Sequence, residues 1–121
     1  MEKVKLQAQY GLYINGEWRN ASDGATYNAE SPADGSHLAV CAQGSREDVE
    51  AASAAAWEAF KTWKKTTPAQ RAALLNKIAD IIDANKEHLA MVESMDNGKP
   101  IREPMNVDIR MAAEHFRYFA G

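Results

Sequence analysis

Hydrophobic and polar residues follow two different periods along the chain. In residues 10–44, short runs rich in aromatic and β-branched residues are separated by turn-forming residues, which is typical of short β-strands. Asn15-Gly16 lies between two such runs and predicts a β-hairpin, because both residues tolerate the positive φ of a tight turn. The strands predicted over residues 25–30 and 37–42 are also short. The pattern therefore indicates an edge of a sheet and not a complete sheet.

From Ser45 onwards the period is 3.6, which predicts helices. Two sequence motifs mark the expected starts of helices: Ser45 with Asp48, and Thr67-Pro68 with Gln70. In each motif, the first residue can cap the helix, and the side chain three positions later can accept a hydrogen bond from the backbone of that first residue. One face of the first helix carries Val49, Ala52, Ala56, Phe60 and Trp63. One face of the second helix carries Leu74, Leu75, Ile78, Ile81 and Ile82.

Two further helices follow in the prediction. Asn85 is the expected cap of a short third helix, which ends at Gly98 because Pro100 blocks its continuation. A fourth helix is expected to start near Glu103-Pro104 and to run to the end of the chain. The fold class is therefore α+β and mainly α, with a polar, flexible arm over residues 1–9, strands over 10–44 and helices over 45–121.

Composition and charge narrow the function. The chain has 121 residues, of which 45% are hydrophobic and 26% are charged, so it can form one domain with a core. The net charge of −3 and the lack of a basic stripe argue against nucleic acid as a partner. No apolar run approaches the ~18 residues of a membrane span, and no secretory signal opens the chain. We therefore expect no membrane partner and a cytoplasmic location.

Few residues suggest chemistry by themselves. Cys41 is the only cysteine, so the chain cannot form an internal disulfide. It lies in an apolar run with only His37 nearby in sequence, which favours a small core residue over a nucleophile, because thiol catalysis needs an activating base, cation or helix N-terminus. The histidines are too far apart for a metal motif, and the glycines form no GxGxxG or P-loop.

Two groups of residues each allow two interpretations. Asp96, two residues before Gly98, either belongs to an ordinary helix end or is a hard oxygen ligand that binds a monovalent cation together with backbone carbonyls. Val107 and Met111, spaced i and i+4, face the same way on a helix. They either join the core or line an apolar channel.

Several motifs in fixed order give the chain a recognisable pattern over nearly all of residues 10–121. They are Tyr-Ile-Asn-Gly-Glu-Trp at 13–18, Ser-Pro-Ala-Asp-Gly at 31–35, Arg-Glu-Asp-Val at 46–49, Trp63, Arg71, Asp-Asn-Gly-Lys-Pro at 96–100 and Arg-Tyr-Phe-Ala-Gly at 117–121. This order resembles the N-terminal part of the aldehyde dehydrogenase superfamily, and most closely its bacterial acetaldehyde-type members. Ser31 stands where the family usually has asparagine.

The resemblance implies a parent enzyme. That enzyme would oxidise aldehydes, acetaldehyde or other short aliphatic ones among them, to carboxylic acids through a cysteine thiohemiacetal, with NAD or NADP as cofactor. It would be a homo-oligomer. The present chain would form the N-terminal part of its α/β, Rossmann-like cofactor-binding domain.

The resemblance also assigns individual residues. Asp96 would bind a monovalent cation, Na or K, with carbonyls from Ala29 and Glu30, and Val107 and Met111 would line the aldehyde tunnel. In the family, the nucleophile, the base and the cofactor turn lie downstream of the position of Gly121. We therefore expect no catalytic or cofactor-binding residue in this chain and no activity from it alone. The alternative is a stand-alone, non-catalytic helical interaction module derived from the family.

Overall fold

The computed structural model describes residues 4–121; residues 1–3, where the predicted arm begins, lie outside the described part. The chain forms two compact units. We call the first, which holds Leu6–Glu30 and Ser36–Lys65, the strand unit. The second holds Ser31–Gly35 and Thr66–Gly121, together with residues 4–5, and we call it the helical unit.

The strand unit contains five short strands and one helix. These are β1 (Gln9–Tyr10), β2 (Leu12–Ile14), β3 (Glu17–Arg19), β4 (Thr26–Glu30), β5 (His37–Ala42) and α1 (Arg46–Trp63). β5 lies in the middle of a three-stranded sheet, parallel to β1 and antiparallel to β4. β2 and β3 form a separate antiparallel pair. The predicted group of short strands is confirmed.

The β2–β3 pair is the hairpin predicted from Asn15-Gly16. Asn15 has φ 54° and Gly16 has φ 82°, the left-handed values that a two-residue hairpin turn requires. Tyr13 and Trp18 lie opposite each other across the pair, and their ring centroids are 5.0 Å apart. This cross-strand aromatic contact stabilises the register set by the turn.

The start of the sheet differs from the prediction. Gln9 pairs with Val40, and the backbone N–H of Val40 donates to the carbonyl of Ala8 at 3.0 Å. Gln9 therefore belongs to a strand and not to the flexible arm expected over residues 1–9. The pairing uses only main-chain groups, so the polar side chains of this segment gave no sign of it.

The helical unit contains α2 (Pro68–Ala84), α3 (Lys86–Asn97), a π-helical turn (Pro104–Asp108) and α4 (Ile109–Ala120). α2 packs against α4, and the buried positions of the unit are mostly small, which lets the helices approach closely. The buried side chains are those of Ser31, Ala79, Ala90, Met91, Pro104 and Ala113. None of the helices in residues 4–121 is long and apolar enough to cross a membrane.

Both predicted capping boxes are present. The N–H of Asp48 donates to Ser45 Oγ, and the N–H of Ser45 donates to Asp48 Oδ2 at 2.9 Å. In α2 the N–H of Gln70 donates to Thr67 Oγ1 at 3.2 Å, and the N–H of Thr67 donates to Gln70 Oε1 at 2.9 Å. Each box satisfies two backbone donors that a helix start would otherwise leave unpaired.

The predicted cap of α3 is wrong in its side-chain detail. Asn85 precedes α3, but its side chain makes no capping hydrogen bond. Its Nδ2 instead donates to the carbonyl of Ile81 at 2.8 Å. α2 ends directly where α3 begins. The side-chain amide of Asn85 is therefore close to the unpaired carbonyls at the end of α2, and it hydrogen-bonds to one of them instead of capping α3. The fourth helix runs to Ala120 as predicted, but its beginning is π-helical.

Candidate functional site

The end of α3 is shaped by Gly98. This residue has φ 79°, and its N–H donates to the carbonyl of Ser94 at 3.0 Å, which confirms the predicted left-handed cap. Ser94 Oγ then donates to the carbonyl of Lys99 at 2.6 Å, so the chain turns sharply away from α3. Pro32 lies against Gly98 on the open side of this turn.

Lys99 connects this turn to the next element. Its Nζ lies 2.6 Å from Asp108 Oδ2 and 3.5 Å from Glu93 Oε1, and the side chain is partly buried. The hydrogen bond to Asp108, with a weaker contribution from Glu93, raises the pKa of Lys99 above its usual value. The ion pair therefore joins the end of α3 to the last residue of the π-helical turn.

Val107 and Met111 lie on the following segment. Val107 belongs to the π-helical turn and Met111 to α4, and both side chains are more than two-fifths exposed. Of the two alternatives left by the sequence, a place in the core of the described chain is excluded. The two side chains present apolar surface that another element or a ligand can cover.

The three residues assigned to a cation lie in different units. Asp96 is exposed in the last turn of α3, in the helical unit. Ala29 and Glu30 lie in β4, in the strand unit, at a register shift: Ala29 pairs with Ala39 and Glu30 with His37. Within residues 4–121, no group of three or more His, Cys, Asp or Glu side chains is arranged to hold a metal ion.

Asp48 has a role that the sequence did not show beyond its capping box. Its carboxylate is buried and accepts from the N–H groups of Ser22 and Ser45, from the hydroxyls of both serines, and from Arg19 Nη2 at 3.3 Å. The backbone N–H of Ser45, followed by that of Ser22, lowers the pKa of Asp48 to about 2, and burial opposes this shift. A carboxylate with so many donors is a structural anchor and a poor base.

Cys41 lies in β5, opposite Tyr10 of β1 and Tyr27 of β4. It is a free thiol of intermediate exposure. Its backbone is part of the central strand of the sheet, but its intermediate exposure places it outside the buried core that the sequence favours.

The sequence matches a known protein family. A family model described as "Aldehyde dehydrogenase family" matches residues 18–121, and the chain belongs to that family. Over 119 residues it is 44% identical to the long-chain-aldehyde dehydrogenase of an Acinetobacter species, a match that covers 98% of this chain and 24% of that protein.

Solved structures agree with this assignment. The NAD complex of PnpE superposes with a TM-score of 0.91 at 42% identity, over 93% of this chain and 23% of that one. The NAD complex of an aldehyde dehydrogenase from Bacillus cereus gives 0.90 at 40% identity, again over 93% and 23%. The match lies in the N-terminal region of such structures, and the chain spans about a quarter of the length of its relatives. The resemblance and the fold class inferred from the sequence are thereby confirmed.

Proposed function

We propose that this chain is the N-terminal segment of an NAD-dependent aldehyde dehydrogenase that oxidises an aldehyde to a carboxylic acid through a cysteine thiohemiacetal. The observation that supports this proposal best is the similarity to the long-chain-aldehyde dehydrogenase of Acinetobacter. The two sequences are 44% identical over 98% of this chain, and the match covers 24% of that protein. Two similar structures contain NAD, which favours NAD over NADP as the cofactor. The chain would contribute helices and edge strands to the cofactor-binding domain of a homo-oligomeric enzyme.

Within this function, we assign two roles to the helical unit. Val107 and Met111 line the route of the aldehyde, because both expose apolar surface on neighbouring turns. Asp96 is a ligand of Na or K, and its exposed carboxylate leaves oxygens free to bind an ion. The contribution of the Ala29 and Glu30 carbonyls to that ion stays a prediction.

The 121-residue chain by itself does not oxidise aldehydes in this proposal. Its sequence has no glycine-rich cofactor turn, and Cys41 lies within a sheet strand and not in a reactive setting. The purified chain is mixed with acetaldehyde and NAD or NADP, and the absorbance of reduced cofactor is followed. Reduction that requires Cys41, as judged with Cys41→Ala, would contradict our interpretation of this cysteine.

The main experiment extends the chain. The coding sequence beyond Gly121 is read, and the whole reading frame is expressed and assayed with acetaldehyde or hexanal and with NAD or NADP. We expect cofactor reduction with at least one aldehyde, and a larger loss for hexanal than for acetaldehyde in Val107→Trp. A stop codon directly after Gly121, or a longer product that reduces neither cofactor, would contradict the proposed function.

A second candidate is the non-catalytic interaction module. One observation favours it: within residues 4–121, no buried side-chain nitrogen or oxygen lacks a hydrogen-bond partner. The buried polar side chains of the described residues therefore need no hydrogen-bond partner from a further segment. The reading frame separates the two candidates, and co-purification of the chain with a full-length aldehyde dehydrogenase subunit would support the module.

A further inference from the structure

The π-helical turn at Pro104–Asp108 is a structural feature that the proposed function leaves unexplained. The N–H of Met105 donates to the carbonyl of Ile101, four residues back, at 3.1 Å. The N–H of Ile109 instead donates to the carbonyl of Pro104, five residues back. The turn thus accommodates one residue more than an α-helical turn. Such turns are rare and occur frequently at functional sites.

Pro104 and Asn106 are both compatible with ordinary helical hydrogen bonding at this point. Pro104 lies in the first turn of the helical stretch, where its missing N–H breaks no helical hydrogen bond. The side-chain Nδ2 of Asn106 donates to the carbonyl of Arg102 at 3.0 Å, and a carbonyl oxygen can accept a backbone N–H at the same time. Neither residue therefore accounts for the π-helical winding.

Lys99 acts on the same turn from outside it. Its Nζ donates to Asp108, the last residue of the π-helical turn, at 2.6 Å. Lys99 is in turn fixed by the left-handed Gly98 and by the hydrogen bond from Ser94 Oγ to its carbonyl. Asp108 is thereby held at one distance from the end of α3, which limits how the intervening turn can wind.

The winding of this turn decides where Val107 points. Val107 lies inside the π-helical turn, whereas Met111 lies in the regular helix that follows. A change of this turn to α-helical winding would therefore rotate Val107 relative to Met111. We propose that Lys99 is a positioning residue that holds the π-helical register through Asp108 and so sets the direction of Val107 relative to Met111. Its effect on aldehyde selectivity rests on the proposed function.

The register can be measured in this chain without any aldehyde. Nuclear magnetic resonance detects scalar coupling across a hydrogen bond, so the carbonyl partner of the Ile109 N–H can be identified. We expect Pro104 as the partner in the wild type and in Lys99→Arg. In Lys99→Met we expect this coupling to be lost or to move to Met105. The contacts of the Val107 methyl groups with Met111 should change with it.

Arg110→Met is the matched control, because it removes an ion pair between Arg110 and Glu114 that lies entirely within α4. This variant should keep the Ile109–Pro104 coupling. If Lys99→Met does not fold, Asp108→Asn removes the same ion pair with little change in volume and decides the question. An unchanged Ile109–Pro104 coupling in both variants would overturn the proposal. So would unfolding of both, because the pair would then be a general stabiliser.

The extended enzyme provides a second readout. Lys99→Met should change the ratio of KM values for hexanal and acetaldehyde more than it changes kcat for acetaldehyde, and Lys99→Arg should restore the ratio. An unchanged ratio in a variant whose coupling has moved would refute the role in selectivity. Absence of any aldehyde oxidation would refute the proposed function and leave the register result standing.

Discussion

A methyl group on Gly98 would lie 2.8 Å from Cγ of Pro32, closer than two carbon atoms can approach without movement. Both residues belong to the helical unit, where the turn at Ser31–Gly35 contacts the end of α3. Gly98 therefore meets two requirements at once. It adopts a left-handed φ of 79°, and it leaves room for a stiff proline ring.

We expect Gly98→Ala to lower the free energy of unfolding by about 2 kcal/mol or more, because left-handed strain of about 1 kcal/mol is joined by the clash with Pro32. Gly35→Ala is the control: Gly35 has φ 71° but open space at its Cβ position, so only the strain applies. Urea denaturation of both variants measures the difference. Equal losses would show that the contact with Pro32 is unimportant.

The capping box of α2 gives a second prediction. Thr67→Ala removes the acceptor of the Gln70 N–H and should lower the free energy of unfolding by about 1 kcal/mol. Thr67→Ser keeps a hydroxyl at this position and should retain most of the stability that the cap contributes. Amide exchange should be slowest along Leu74–Ile82 of α2. Exchange that is slower in the strands than in this helix would contradict this expectation.

Asp48 predicts the response to acid. Its pKa is lowered from the ordinary value of 3.8 to about 2 in the folded chain, so its contribution to stability is fully present above about pH 4. As the pH falls from about 4 to about 2, protonation of Asp48 removes that contribution, and stability should decrease. Asp48→Asn should flatten the dependence in this window. Asp23→Asn removes an exposed carboxylate of the same unit and serves as the control; equal slopes for all three proteins would contradict the prediction.

The exposed aromatic surface of α1 predicts association. Trp57 and Phe60 lie edge to face with ring centroids 5.9 Å apart, and both are exposed in the strand unit. The isolated chain should self-associate or bind a hydrophobic dye, because contiguous apolar surface is unfavourable in water. Trp57→Lys should reduce both effects while changing the free energy of unfolding by only about 0.5 kcal/mol. A dye-negative monomer in sedimentation would contradict this prediction.

Features that depend on neighbours in sequence were predictable. The Asn15-Gly16 hairpin, the caps at Ser45 and Thr67 and the end of α3 at Gly98 each rest on residues no more than four positions apart. Steric rules and short hydrogen bonds decide such features locally. The family could also be identified, because its motifs occur in a fixed order.

Features that depend on distant residues were not predictable. Arg19 and Ser22 donate hydrogen bonds to Asp48 although they lie far from it along the chain. No sequence pattern indicates these contacts. The π-helical turn at Pro104–Asp108 was also missed, because the spacing of Val107 and Met111 suggested a plain α-helix. The apolar face of α1 indicated burial, yet Val49 and Phe60 remain exposed in the described chain, since periodicity does not say what covers a face.

The two ways in which the strand unit pairs its strands imply an order of assembly. The β2–β3 hairpin closes through a two-residue turn and can form within about 1–10 μs. The parallel pairing of Gln9 with Val40 must first bring together residues on either side of that hairpin and of β4, and it loses more chain entropy before any hydrogen bond forms. The hairpin should therefore serve as a folding nucleus for this unit, and β1 should dock late.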